Sequence, residues 1–140
     1  MQKDDKTLVF ASWVIVEPAE DIPGVWVAHW LELDVISQGD SPQNAIEAIT
    51  EAVAMTVLDD LKHGLNSDER RAPAEFWDRL AHVIKHGNQV KISEVKVDSK
   101  FVLATQATLI LERMAPLGSI DFSQFNVPPE TARVDLACAA

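Results

Sequence analysis

Cysteine is almost missing from this chain: Cys138 is the only one in 140 residues. An internal disulfide is therefore excluded, and a reducing compartment, the cytoplasm, is the expected location. No apolar run approaches the roughly 20 residues that span a bilayer, so no membrane association is expected. The opening "MQKDDKTLVF" carries acids where a secretion signal would carry only bases, and no signal peptide is expected. Internal repeats are absent as well.

Bases are scarce in one part of the chain. Residues 1 to 60 hold twelve acids against two bases, Lys3 and Lys6. Residues 61 to 140 hold ten of each, so the whole net charge of −10 sits in the first part. A field of that sign repels nucleic-acid phosphates and attracts basic partners. Solubility is the plainer use of the same charge, and composition does not choose between the two.

What is present suits one domain with a real core, since 47% of the residues are apolar. Residues 8 to 17, "LVFASWVIVE", are rich in β-branched and aromatic side chains and stop at Pro18. Both faces of this strand are mostly apolar, which predicts cover on two sides, from a helix and from a second subunit. After the turn "PAEDIPG", residues 25 to 33 predict a second strand. Asp34 offers a turn into a short third strand, "VISQ". Gly39 is expected where a backbone angle closed to most residues is required.

Ser41 is a good N-cap and Pro42 fits the first helical position. Ile46, Ile49, Val53 and Val57 follow at helical spacing, with Gln43, Glu47, Thr50 and Glu51 as a narrow polar stripe and Gly64 as the stop. "LNSDERRAP" reads as a polar linker. A second helix starts at Pro73, turns Phe76, Leu80, Val83 and Ile84 inward, and stops at Gly87. "QVKISEVKV" reads as a strand bulged near Ser93 and Glu94. Residues 101 to 112 fit either strand or helix. Residues 115 to 140 contain three prolines and no clear period, and are expected to be an arm or a disordered tail.

The fold expected is therefore α+β, a single domain over 1–140. An antiparallel three-stranded sheet is packed by a long helix (a β-β-β-α core over 1–64). Further helix and strand elements follow over 65–114.

Across that core, "WVAHWLELDVISQGDSPQNAIEAITEAV" resembles the HicB-like antitoxins. Their usual form is aromatic-x-Ala-x-x-x-Glu-Leu, a Gly-Asp/Glu-Thr/Ser turn, then an amphipathic helix. Trp26, Ala28, Glu32, Leu33, Gly39, Asp40, Ser41 and Ala45 match. Pro42, Gln43 and Asn44 depart from it, standing where acids are usual. The resemblance implies a reduced ribonuclease H-like core that is not catalytic. It also implies a partner, a small basic toxin of HicA type that cleaves RNA, whose active site the antitoxin covers. No DNA-binding segment is visible after the core.

The candidate acidic contact residues are Glu32, Asp34, Asp40, Glu47, Glu51, Asp59 and Asp60, chosen by location. For Asp59 and Asp60 the alternative is a solvated helix end compensated by Lys62 and His63. Apolar surfaces on two sides predict a homodimer or larger assembly. No cofactor, metal or catalytic residue is expected. Asp78, His82 and His86 recur every four residues, but no further ligand is obvious nearby in the sequence, so a charged outer helix face is the better reading. His29 with Asp34 is the pair a small hydrolase would use, although a core histidine is commoner. Interleaved bases are missing from three of the four tryptophans Trp13, Trp26, Trp30 and Trp77, and the four read as core or interface packing residues. A self-assembling module without a toxin remains the alternative from another class.

Overall fold

The computed structural model describes residues 6–65, 70–95, 101–114, 119–121 and 131–135. The strand β1 (Lys6–Pro18) meets β2 (Trp26–Trp30), which turns back into β3 (Val35–Gly39). The helix α1 (Pro42–Lys62) follows, then α2 (Ala74–His86) and the short β4 (Asn88–Lys91). A 3-10 turn at Ile92–Glu94 leads to β5 (Val102–Met114), β6 (Ser119–Asp121) and β7 (Thr131–Asp135).

These strands form one antiparallel sheet in the order β3-β2-β1-β5-β7-β4, with β6 pairing the far end of β5. The class is α+β as expected, but the sheet is larger than the three strands read from the sequence. Its extra width comes from contacts between distant segments. β5 pairs β1 over eleven positions, from Lys6↔Arg113 to Val16↔Leu103. Periodicity within residues 101–112 did not separate strand from helix; a partner strand of matching length did.

β7 is the larger correction. Residues 131–135, expected within an arm or a disordered tail, lie between β5 and β4. Ala132 is buried and Val134 packs against the α1-side core. Ser119–Asp121, in the same expected tail, form β6 against β5, and the other stretches of that tail lie outside the described residues. The predicted bulge at Ser93 and Glu94 is a 3-10 turn instead, and the strand before it is four residues long.

Helix α1 forms for the reasons its sequence carries. Ser41 Oγ accepts from Asn44 N at 3.0 Å, and Pro42 opens the helix. Gly64, just past the end, has φ +68°, the left-handed value that lets a helix stop. Ile46, Ile49, Val53 and Val57 are all buried against Val14, Val16, Trp26, Trp30 and Leu103. Each such side chain contributes about 1.5–3 kcal/mol on leaving water. Thr50 departs from the predicted polar stripe: it is buried, and its hydroxyl donates to Ile46 O at 2.8 Å.

Gly39 serves differently from the expectation. Its φ is not positive; a Cβ there would instead lie 2.6 Å from Ala45 N. Close approach of the strand end to the helix is what requires glycine.

The other sheet face is covered by α2, whose Leu80 and Val83 pack on Ile15, Leu31, Val102 and Ala104. The apolar second face of β1, expected to need a second subunit as well as a helix, is thus covered in part within the chain. Ile84, expected inward, is 37% exposed.

Candidate binding surface

Most of the described acids of the first sixty residues fall into two sets. One set is neutralised by arginines of the second half. Arg79 holds Glu17 through two hydrogen bonds of 2.6 and 2.9 Å, joining α2 to β1. Arg71 Nη1 donates to Glu32 Oε1 at 2.9 Å while its guanidinium lies 4.0 Å over the Trp77 ring. Arg70 grips Asp60 with Nε and Nη2, both at 2.8 Å. That hydrogen bond, and then the charge of Asp60, raise the Arg70 pKa above its ordinary value. Asp60 is only 1% exposed, so it belongs to the joint between α1 and the following segment, and not to an outer acidic surface. Neither Lys62 nor His63 is its partner in these pairs, which corrects the solvated reading for this residue.

The other set stays outside. Asp40, Glu47 and Glu51 are exposed and make no ion pair with Lys or Arg among the described residues. Asp59 is exposed and meets His63 at 3.4 Å, the compensation expected of a helix end. Glu47, Glu51 and Asp59 share the outer face of α1 with Met55, which is 67% exposed. The inner face of this helix lies over β2 and β3, so its charged face points away from the sheet. Sequence position alone could not divide the acids this way. The three arginines are crowded into or near a polar linker, where spacing does not reveal their partners.

Asp34 sits at the β2–β3 turn with φ +52°, a value that Asp tolerates better than most residues. Its Oδ1 lies 2.7 Å from His29 Nε2. His29 is 6% exposed and its ring meets Phe76 edge-on, with centroids 4.6 Å apart. The pair predicted from the sequence does form, packed under α2. Two shallow clefts of about 270 and 320 Å³ flank Trp13 and share Gln106. Neither is lined by His29 or Asp34.

His82 and His86 lie side by side, ring centroids 4.6 Å apart, as their spacing requires. The carboxylate beside His82 is Asp135 of β7, at 2.6 Å, and not Asp78. Asp135 is buried, and the pair ties α2 to the sheet. Among the described residues no group of three His, Cys, Asp or Glu is placed to hold a metal ion. Trp26 and Trp30 are fully buried, whereas Trp13 and Trp77 are half-buried at the clefts. Trp77 Nε1 donates to Ala72 O at 3.1 Å. No helix among the described residues is long and apolar enough to cross a membrane.

No protein-family model, no curated protein and no solved structure matches this chain.

Proposed function

We propose that this protein is a non-enzymatic binding module that neutralises a basic protein, in the manner of a HicB-like antitoxin acting on a small basic HicA-type toxin in the cytoplasm. The observation that carries the reading is the division of the acids. Glu17, Glu32 and Asp60 have arginine partners, while among the described residues the exposed Asp40, Glu47, Glu51 and Asp59 have none. Asp40 and Asp34 bound β3, and Glu47, Glu51 and Asp59 line the outer face of α1. An anionic surface of this kind steers a cationic partner and raises its association rate.

The motif residues fit a structural role in that unit. Trp26 and Ala28 are buried in the core under α1, Gly39 allows the close strand–helix approach, and Ser41 caps the helix. A homo-oligomer without a toxin is the second reading, favoured by the exposed Met55 and Ile36. A hydrolase built on His29 and Asp34 has less support, because the histidine is buried beneath Phe76.

The test is retrieval of a partner. The tagged protein, co-expressed with the genes beside its own, is expected to retain a small basic protein at low salt and to release it as salt rises. A sample that stays free of basic protein at low salt overturns the reading. If that sample is also a stable oligomer, the second reading takes its place.

A further inference from the structure

Among the described residues, the strand β3 is the outermost strand on its side of the sheet. An outer strand presents unpaired N–H and C=O groups, and proteins usually protect such edges with lysine, proline, a bulge or a very short strand. The opposite edge is protected in this way. β4 has four residues, carries Lys91, and breaks into a 3-10 turn at Ile92. β3 carries no lysine, proline or bulge. Its sequence is VISQG, its pairing with β2 is continuous over five positions, and Ile36 is 59% exposed.

Charge decides what kind of chain such an edge accepts. Asp34 and Asp40, both exposed, stand immediately before and after the strand. A second copy pairing antiparallel along the whole of β3, centred on Ser37, would set Asp34 of each copy opposite Asp40 of the other. Like charges placed directly opposite are destabilising, and here that happens at both ends. An extended segment with a cation at each end meets the reverse situation. The two carboxyl positions are six residues apart, roughly 20 Å at about 3.3 Å per residue. Main-chain pairing then supplies affinity, and Ile36 offers an apolar contact on one face.

We propose that β3 accepts an added strand from a basic protein, an extended uncharged segment with one cationic side chain at each end set against Asp34 and Asp40. This rests on the reading above, that the acidic surface receives a basic protein, and adds the mode of attachment.

The test uses the full chain, labelled for NMR, and a heptapeptide with lysine at both ends and alternating threonine and valine between. Shifts and slowed amide exchange are expected at residues 34–40. Glutamate in place of both lysines should weaken binding by about tenfold. Ile36→Lys should abolish binding and leave the melting temperature unchanged, since its side chain is exposed. Unperturbed amides at 35–39 with millimolar peptide overturn the inference. So does equal binding of the two peptides, or a dimer of the free protein that Ile36→Lys dissociates. If a basic protein is retrieved equally well by Ile36→Lys, strand addition fails while the acidic-surface reading stands. If no basic protein and no peptide binds, both fall.

Discussion

Arg70 and Asp60 form a two-pronged ion pair across the end of α1, with both carboxylate oxygens held at 2.8 Å and the carboxylate itself 1% exposed. The arginine is 43% exposed, so one side of the pair is open to water. Removing the partner of a wholly buried charge costs roughly 3–5 kcal/mol. With the arginine half in solvent, Arg70→Ala is expected to cost about 2 kcal/mol. The double variant with Asp60→Ala should cost less than the sum of the two single variants, which urea unfolding of the four proteins would measure.

The pH dependence of that pair follows from the raised Arg70 pKa. A cation whose folded value lies above its unfolded value contributes fully below the unfolded value, and that contribution is lost as pH rises through the folded one. Both lie far above neutrality. The difference between wild type and Arg70→Ala should therefore stay constant from about pH 6 to 9.

Gly39→Ala should destabilise more than Gly24→Ala. At Gly39 the new carbon would lie 2.6 Å from both Ala45 N and Asn44 Oδ1, so the strand end must move away from the helix. Overpacking of that kind costs about 1–3 kcal/mol. Gly24 has φ +82° and open space around it, so only the backbone preference of about 1 kcal/mol is lost. Thermal melts of the two variants give the order.

Asp34→Asn is expected to be nearly neutral in stability, because asparagine tolerates φ +52° and keeps an acceptor for His29. Asp34→Val should cost at least about 1 kcal/mol, losing both. Equal losses in the two variants would show that charge, and not turn geometry, sets the role of this residue.

A chain cut after residue 130 should fail to unfold cooperatively. It loses β7, and with it the link between β5 and β4 and the His82–Asp135 pair. Circular dichroism on heating tests this; an unchanged sharp transition would mean that β7 is dispensable.

Glu47→Lys with Glu51→Lys should change stability by less than about 0.5 kcal/mol, since both residues are exposed and lack a cationic side-chain partner among the described residues. Retention of a basic partner should fall, with the largest effect at low salt. Retention that ignores these charges would move the contact surface off α1.

Much of the first sixty residues was legible because its signals are local. Ser41, Pro42 and Gly64 mark the ends of α1, and Ile46, Ile49, Val53 and Val57 state which face turns inward. The alternation through Trp26, Ala28 and Trp30 puts those side chains on one face, and folding turned that face under the helix. The His29–Asp34 pair is also local, five residues apart across one turn. Gly39 was singled out for the wrong reason, since a close approach to a helix that starts later leaves no mark on neighbouring residues.

Tertiary structure decided the rest. The sequence by itself determined a capped amphipathic helix after three strands, because capping and periodicity act over a few residues. Only folding brought Thr131–Asp135 between β5 and β4, where pairing on both edges and burial of Ala132 outweigh a weak local preference. Only folding, too, brought Arg70, Arg71 and Arg79 to Asp60, Glu32 and Glu17, leaving the outer acids of α1 without a Lys or Arg partner among the described residues. Which charges cancel depends on distance in space, and distance along the chain does not contain it.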